Sequence, residues 1–302
     1  MAKSGLFVQN HGMGNYSIRE LETLSGIKAH TIRMWEKRHG LISPKRTPTN
    51  IRYYSDDDLR KIINVSVLNN LGIKISKIAV MSDQQLSAEV VQRTAKQQDA
   101  AVFIDQFIVC MVNMEEEQFE KLLSHLIIKF GFEKTVTDVV YPFLEKIGIL
   151  WQTGNITPAQ EHFISNLIRQ KVIVAIDSLP FPKHGSENIV LFLPEGEMHE
   201  IGLLFYHFLV KKMGYKTYYL GQHLPYADLK QVCTAYKPRY IITSVSVSQE
   251  PLRTKAYFDT LVKDFPGSTL LATGRSAKPY VSGAPNFKFV ENIKALKSLL
   301  QG

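Results

Sequence analysis

Glu197, His199 and Gly202, spaced E-x-H-x-x-G, are the residues of this chain with the most chemistry to offer. A neutral imidazole ligates a transition metal through one ring nitrogen while a nearby carboxylate orients the other, and a glycine one turn on lets a bulky ligand approach the backbone. A lone loop histidine is as often a plain surface residue, so the motif by itself leaves both readings open. Nine residues separate Trp151 from the pair Glu161-His162. A tryptophan at a helix end is commonly core, and a Glu-His pair in a first helical turn is commonly a solvated, dipole-favoured terminus. Neither GxxxxGK[ST], GxGxxG nor HExxH occurs, so nucleotide hydrolysis, ordinary nicotinamide binding and zinc proteolysis lack support. The two cysteines, Cys110 and Cys233, are too far apart in sequence for a CxxC pair and too few for a disulfide framework.

The elements that must position Glu197 and His199 follow the proline-containing stretch LPFPKHGSEN. An apolar strand NIVLFLP leads into a polar loop, a helix over Ile201 to Met213 and a second strand KTYYLG. A helix over Pro225–Tyr236, the strand YIITSVSVS, a helix over Leu252–Phe265, the strand STLLATG and a last helix near Asn292 complete the pattern. Such alternation predicts an open, doubly wound, largely parallel sheet, whose ligands bind beyond the carboxyl ends of the strands. Glu197, His199 and Gly202 fall after the first strand, Ser244 and Ser246 after the third, and Gly274 after the fourth. Upstream, FIDQFIVCMV, FEKLLSHLIIKF, VVYPFLEKIGIL and EHFISNLIRQKVIVAI carry apolar residues at helical spacing. Four helices in an antiparallel bundle are expected there, with the fourth starting at Thr157 and Pro158.

The formal charge of the 302-residue chain is +8, and it is unevenly spread. Residues 1–80 hold 13 Lys or Arg against 6 Asp or Glu, which leaves the rest nearly neutral. A basic head on a neutral body is the footprint of a nucleic-acid-binding domain joined to another function. Within that head, Ser17 and Glu20 form a predicted capping box. Ile18, Leu21 and Leu24 make an apolar stripe, Ser25-Gly26 a break, and Ala29 to Arg38 a second helix. In a helix-turn-helix the second helix enters the major groove, which places Lys28, His30, Thr31, Arg33 and Arg38 as candidates for bases and phosphates. SPKRTPTNIRYY suits a short hairpin before a helix capped by Ser55, with Arg46, Arg52 and Tyr53 along the phosphate backbone.

The runs TIRMWEKRHGL, RTPTNIRYY and SDDDLRKI resemble the MerR family of winged helix-turn-helix regulators over about 70 residues, with Met34-Trp35 where two tyrosines are frequent. No cysteines follow that segment at metal-sensing positions, so a soft ion is not the expected effector. The last segment resembles the cobalamin-binding domain of methionine synthase and corrinoid proteins. The whole order, basic head, W-x9-E-H helices, E-x-H-x-x-G domain, resembles the adenosylcobalamin-dependent photoreceptor regulators of the CarH and CarA type.

That resemblance implies a multidomain chain. Residues 1–82 would be a largely helical winged helix-turn-helix DNA-binding domain, 83–182 a four-helix bundle capping the cofactor, and 183–302 a Rossmann-like cobalamin-binding domain. It also implies that His199 is the lower ligand of cobalt, Glu197 its partner and Gly202 a close-packing point. Trp151, Glu161 and His162 would cover the upper face and its 5′-deoxyadenosyl group, while Ser244, Ser246 and Gly274 line the groove for the nucleotide tail. Two departures bear on this: Thr273 replaces the first glycine of a GG pair, and Gln152 stands where some relatives carry a histidine. The expected protein is a DNA-binding regulator, in the first instance a repressor and not an enzyme. It would bind an operator as a homo-oligomer, dimer or tetramer, under control of adenosylcobalamin and light. Alternatives are a regulator whose sensor has lost the corrinoid and a corrinoid-dependent enzyme or methyl carrier. No window reaches the roughly 18 apolar residues of a membrane span and no secretory signal opens the chain, so a cytoplasmic protein without membrane contact is expected.

Overall fold

The computed structural model describes residues 16–94, 100–152, 156–246, 251–280 and 283–301. The chain separates into two compact units, Met1–Leu167 and Ile168–Gly302.

The first unit begins with α1 (Ile18–Ser25) and α2 (Ala29–His39). Ser17 and Glu20 close the expected capping box on α1. Gly26, at φ 71°, ends α1 in the left-handed conformation that glycine adopts without strain. Two short strands, β1 (Lys45–Arg46) and β2 (Arg52–Tyr53), pair antiparallel. Tyr54, just beyond β2, exchanges two 2.8 Å backbone hydrogen bonds with Tyr16, whose hydroxyl donates to Asp56. Both tyrosine rings are fully buried, so this bridge ties the start of the head to its end.

Next come α3 (Asp56–Asn70), capped by Ser55 with Asp58, then α4 (Ile75–Ile78) and α5 (Asp83–Thr94). Every residue of α3 from Ile62 to Leu68 is buried, including Asn64 and Ser66. A helix buried on all sides belongs to a core. Its neighbours are α1, α5 and α6 (Ala100–Asn113), so the basic head packs directly on the helices that follow it.

The remaining helices of this unit are α7 (Glu116–Phe130), α8 (Phe132–Thr135), α9 (Tyr141–Gln152) and the first half of α10 (Pro158–Asp177). A π-helical turn, Val136–Val140, joins α8 to α9. Its cause is Pro142, which lacks an amide hydrogen and whose ring crowds the carbonyl four residues earlier; the wider turn absorbs both. Phe107, Phe119 and Phe143 cluster with ring centroids 4.6 and 5.4 Å apart and hold α6, α7 and α9 together. Burying each such ring contributes about 2–3 kcal/mol. Lys146 on α9 donates to the carbonyl of Leu24 at the end of α1 and to the carboxylate of Asp105 on α6. Ser66 donates to the neighbouring carbonyl of Ser25. The orphan carbonyls at the end of α1 are thus satisfied by α3 and α9.

The second unit holds β3 (Asn188–Pro194), α11 (Ile201–Lys212), β4 (Lys216–Leu224), α12 (Tyr226–Tyr236), β5 (Tyr240–Ser244), α13 (Pro251–Asp264), β6 (Thr269–Thr273), β7 (Phe287–Phe289) and α14 (Ile293–Gln301). The strands form one parallel sheet in the order β4-β3-β5-β6-β7. The order reverses between β3 and β5, the switch point at which doubly wound sheets open a crevice for ligands. Val190, Phe192, Ile241, Leu270 and Phe258 form the core on one face. The Rossmann-like expectation stands, with three corrections. A fifth strand, β7, was absent from the sequence reading because three residues carry too little alternation. Ser244 is the last residue of β5 and not part of the loop beyond it. Gly202 lies inside the first turn of α11 and not in the loop.

Candidate functional site

β3 ends in a turn in which the Glu197 amide donates to the carbonyl of Pro194 at 2.9 Å. Gly196, at the third position of the turn, takes φ 87°, a left-handed conformation that glycine adopts without strain. The turn delivers Glu197 into the crevice, where its side chain is 5% exposed. One carboxylate oxygen accepts the His199 amide at 3.0 Å and lies 2.5 Å from Nδ1 of the His199 ring. The other accepts the amide of Ser246, beyond β5, at 2.7 Å. Burial pushes the Glu197 carboxyl up, but the hydrogen bonds from His199 and Ser246 outweigh it and hold the group down at about 2. An ionised carboxylate on Nδ1 fixes the ring's orientation and tautomer and directs metal ligation to Nε2. The His199 side chain is 64% exposed, so the ring is presented and not packed away.

Around this pair the second unit builds further supports. Glu200, buried beside His199, receives Arg169 of α10 at 2.5 Å and the hydroxyl of Tyr219 of β4 at 2.8 Å. Gly274 follows β6 with φ 97°, and a Cβ there would meet the carbonyl oxygen of Val245 at 2.3 Å. Its glycine is demanded by the protein's own packing. Among the described residues, a Cβ at Gly202 would meet nothing within 4 Å. Thr273 fills part of the crevice with a hydroxyl 3.3 Å from that of Tyr206. Sequence spacing did not reveal Arg169, Glu200 or Tyr219, because no local pattern marks partners so far apart along the chain. Among the described residues no three His, Cys, Asp or Glu side chains gather to hold a bare metal ion.

In the first unit, Glu161 and His162 sit in the opening turns of α10 with His162 Nδ1 2.9 Å from the carboxylate, and the His162 ring is exposed. Trp151 and Gln152 end α9, and their side chains lie outside the described residues. A cavity of about 850 Å³ opens among α3, α5, α6 and α7 and contains none of the residues named so far as site candidates.

Of the candidate DNA contacts, His30, Arg33 and Arg38 are exposed along α2, with Lys37 beside them. Lys28 precedes that helix, exposed and paired with Glu22 at 3.0 Å. Thr31 and Tyr53 are half-buried. Arg46 is held by the side chain of Asn50 at 2.6 Å, which shapes the hairpin turn, and Arg52 lies 3.6 Å from Glu36. Trp35 is core and Met34 is exposed, so the departure at this pair changes packing beneath the helix.

Residues 16–85 match the family described as MerR HTH family regulatory protein, and residues 103–175 match the family described as B12 binding domain. The chain thus joins a MerR-type helix-turn-helix segment to a B12-binding segment, the make-up of a cobalamin-dependent transcriptional regulator. The regulator is 28% identical over 254 residues to the HTH-type transcriptional repressor CarH of Myxococcus xanthus, covering 82% of this chain and 83% of that protein. It is 25% identical to the repressor CarA of the same organism, over 81% of this chain and 85% of that protein. Over 77 residues it is 31% identical to the HTH-type transcriptional regulator MlrA of Salmonella typhimurium, 26% of this chain and 32% of that protein. Among solved structures, the Methanosarcina barkeri monomethylamine corrinoid protein superposes with a TM-score of 0.54 at 17% identity, over 66% of this chain and 97% of that one, a likeness of fold. The two family matches span the regulator from α1 into α5 and from α6 into α10. No described helix is long and apolar enough to cross a membrane.

Proposed function

We propose that the regulator is a repressor that holds several basic heads on one operator while adenosylcobalamin is bound, and lets go in light. The observation that carries this reading is the Glu197–His199 pair: an exposed imidazole oriented by a buried, ionised carboxylate at the sheet's switch point. That donor set fits a cobalt corrinoid, which would be held by the single imidazole of His199. When bound, the group supplies a photolabile cobalt–carbon bond.

The chain's own residues then divide the work. His199 would offer Nε2 to the metal while Glu197 keeps the ring aimed. Gly202 leaves the backbone of α11 open to the ligand. Ser244, Ser246 and Gly274 line the groove for the nucleotide tail, which Thr273 narrows. Trp151, Glu161 and His162 would hold the adenosyl group of the bound cofactor. In the head, α2 reads the major groove through His30, Thr31, Arg33 and Arg38, with Lys28 just before it. The β1–β2 hairpin acts as a wing, with Arg46, Arg52 and Tyr53 on phosphates. Residues 1–82, 83–182 and 183–302 are the DNA-binding, capping and cofactor segments, the second a four-helix bundle. The dark assembly is a homo-oligomer of paired dimers acting in the cytoplasm. Linking heads on one operator raises apparent affinity by roughly 10²–10⁴ without new contacts.

The test mixes full-length protein with adenosylcobalamin in the dark, removes unbound ligand, and records the absorbance spectrum, size-exclusion volume and binding to DNA upstream of its own gene, before and after green light. The expected result is retained corrinoid, then a changed spectrum, a smaller particle and weaker DNA binding. Corrinoid lost on desalting overturns the cofactor assignment; retained corrinoid with an unchanged particle overturns the light-driven assembly.

A further inference from the structure

We propose that His223 is a positioning residue for the His199 loop, holding the turn that carries Glu197 in its ligating shape before any cofactor arrives. The inference rests on the cobalamin reading above and adds a residue outside the E-x-H-x-x-G motif. Strand β4 runs parallel to β3 but slips register twice near its end: Leu191 faces Tyr219, Phe192 faces Gly221, and Pro194 faces Leu224. Each slip inserts one extra residue into β4. Such bulges bend a strand and re-aim side chains, and they concentrate beside functional sites. Both bulges are marked by left-handed backbone, at Gly221 with φ 78° and at His223 with φ 51°. Glycine takes that conformation freely, whereas histidine, although commoner there than most side chains, adopts it seldom.

What holds it there is visible in the bonds His223 makes. Nδ1 of its ring accepts the amide of Gly196 at 2.9 Å, and its own amide donates to the carbonyl of Glu197 at 3.3 Å. The closing bond of the turn uses the Glu197 amide and the Pro194 carbonyl, so the amide of Gly196 and the carbonyl of Glu197 are bound from β4 instead. Both contacts land on the turn that delivers the carboxylate touching His199. The residue lies 24 positions beyond His199, and only the bulge brings it back to the loop.

Three variants of the full chain separate positioning from mere strand architecture. His223→Asn keeps an acceptor oxygen and tolerates the left-handed backbone; His223→Gly relaxes the backbone but removes the acceptor; His223→Ala loses both. Hydrogen exchange across residues 194–200 of cofactor-free protein should be faster in the Gly and Ala variants and like wild type in the Asn variant. Titration with adenosylcobalamin should then show about tenfold weaker binding for the Ala variant, with a larger share of the spectrum lacking cobalt–imidazole coordination, and recovery in the Asn variant. Unchanged exchange in the Gly variant overturns the proposal, whatever the corrinoid does. A wild-type chain that retains no adenosylcobalamin, yet shows the exchange differences, fails the cofactor reading and leaves the positioning role standing.

Discussion

His199 and Glu197 divide one task by burial. The carboxylate is enclosed and held ionised by donors on two loops, while the imidazole projects outward. Removing the ring keeps the backbone bonds of the turn but takes a partner from the buried Glu197 carboxylate, so His199→Ala should fold with a modestly lowered melting temperature and lose roughly 100-fold or more in adenosylcobalamin affinity, read as corrinoid surviving desalting. Equal retention by the variant would sink the ligand assignment. A second histidine behaves oppositely. His207 of α11 stacks on Tyr219 with ring centroids 5.0 Å apart and meets the Thr217 hydroxyl at 2.9 Å. Burial, reinforced by Lys211, pushes its ring down from 6.5 to about 4. The unfolded chain takes up that proton near pH 6.5 while the folded chain resists it. His207 therefore leaves stability intact above pH 6.5 and lowers it progressively as pH falls toward 4. His207→Gln should flatten the decline in urea midpoint between pH 7 and 4.5, and parallel curves for the two proteins would refute the assignment.

At the scale of elements, the carboxyl ends of β3, β5 and β6 are joined by backbone contacts that leave no slack. The Val245 amide donates to the Thr273 carbonyl, and Ser276 donates back to Val245. Gly274 sits between them at positive φ with a backbone atom where a Cβ would go. Gly274→Ala should therefore cost about 3 kcal/mol, seen as a lowered urea midpoint, since neither the conformation nor the contact can give way. A loss under about 0.5 kcal/mol would mean that the loop relaxes freely. Sequence pattern located most of these elements, because strong apolar periodicity and caps such as Ser17, Ser55 and Pro158 are local signals. It missed β7 and the π-helical turn, whose causes are a three-residue pairing and a single proline ring.

At the scale of the whole molecule, the basic head is not an appendage on a linker. Its last long helix, α3, is buried from Ile62 to Leu68 and packs against α1, α5 and α6, and Lys146 of α9 reaches the end of α1. Electrostatics at the α2 face still governs binding to DNA. Arg33→Ala, at an exposed position, should weaken operator binding by about 1–3 kcal/mol if the guanidinium reads a base. If it contacts phosphate, the salt slope should fall by about one and the loss should be uniform across sequences. A variant that binds as wild type at every salt concentration would remove Arg33 from the interface.

The sequence by itself determined the charge asymmetry, the helix-turn-helix caps, the alternation of strands and helices, and the E-x-H-x-x-G spacing. Each of these is encoded within a few residues, by composition, periodicity or the conformational needs of glycine and proline. Tertiary structure alone decided which distant groups serve the loop. The Ser246 amide on Glu197, Arg169 and Tyr219 on Glu200, and His223 on Gly196 are brought together by strand order and register. A register slip of one residue in β4 re-aims a ring, and no local pattern of residue types records it, because register is set by pairing across the sheet.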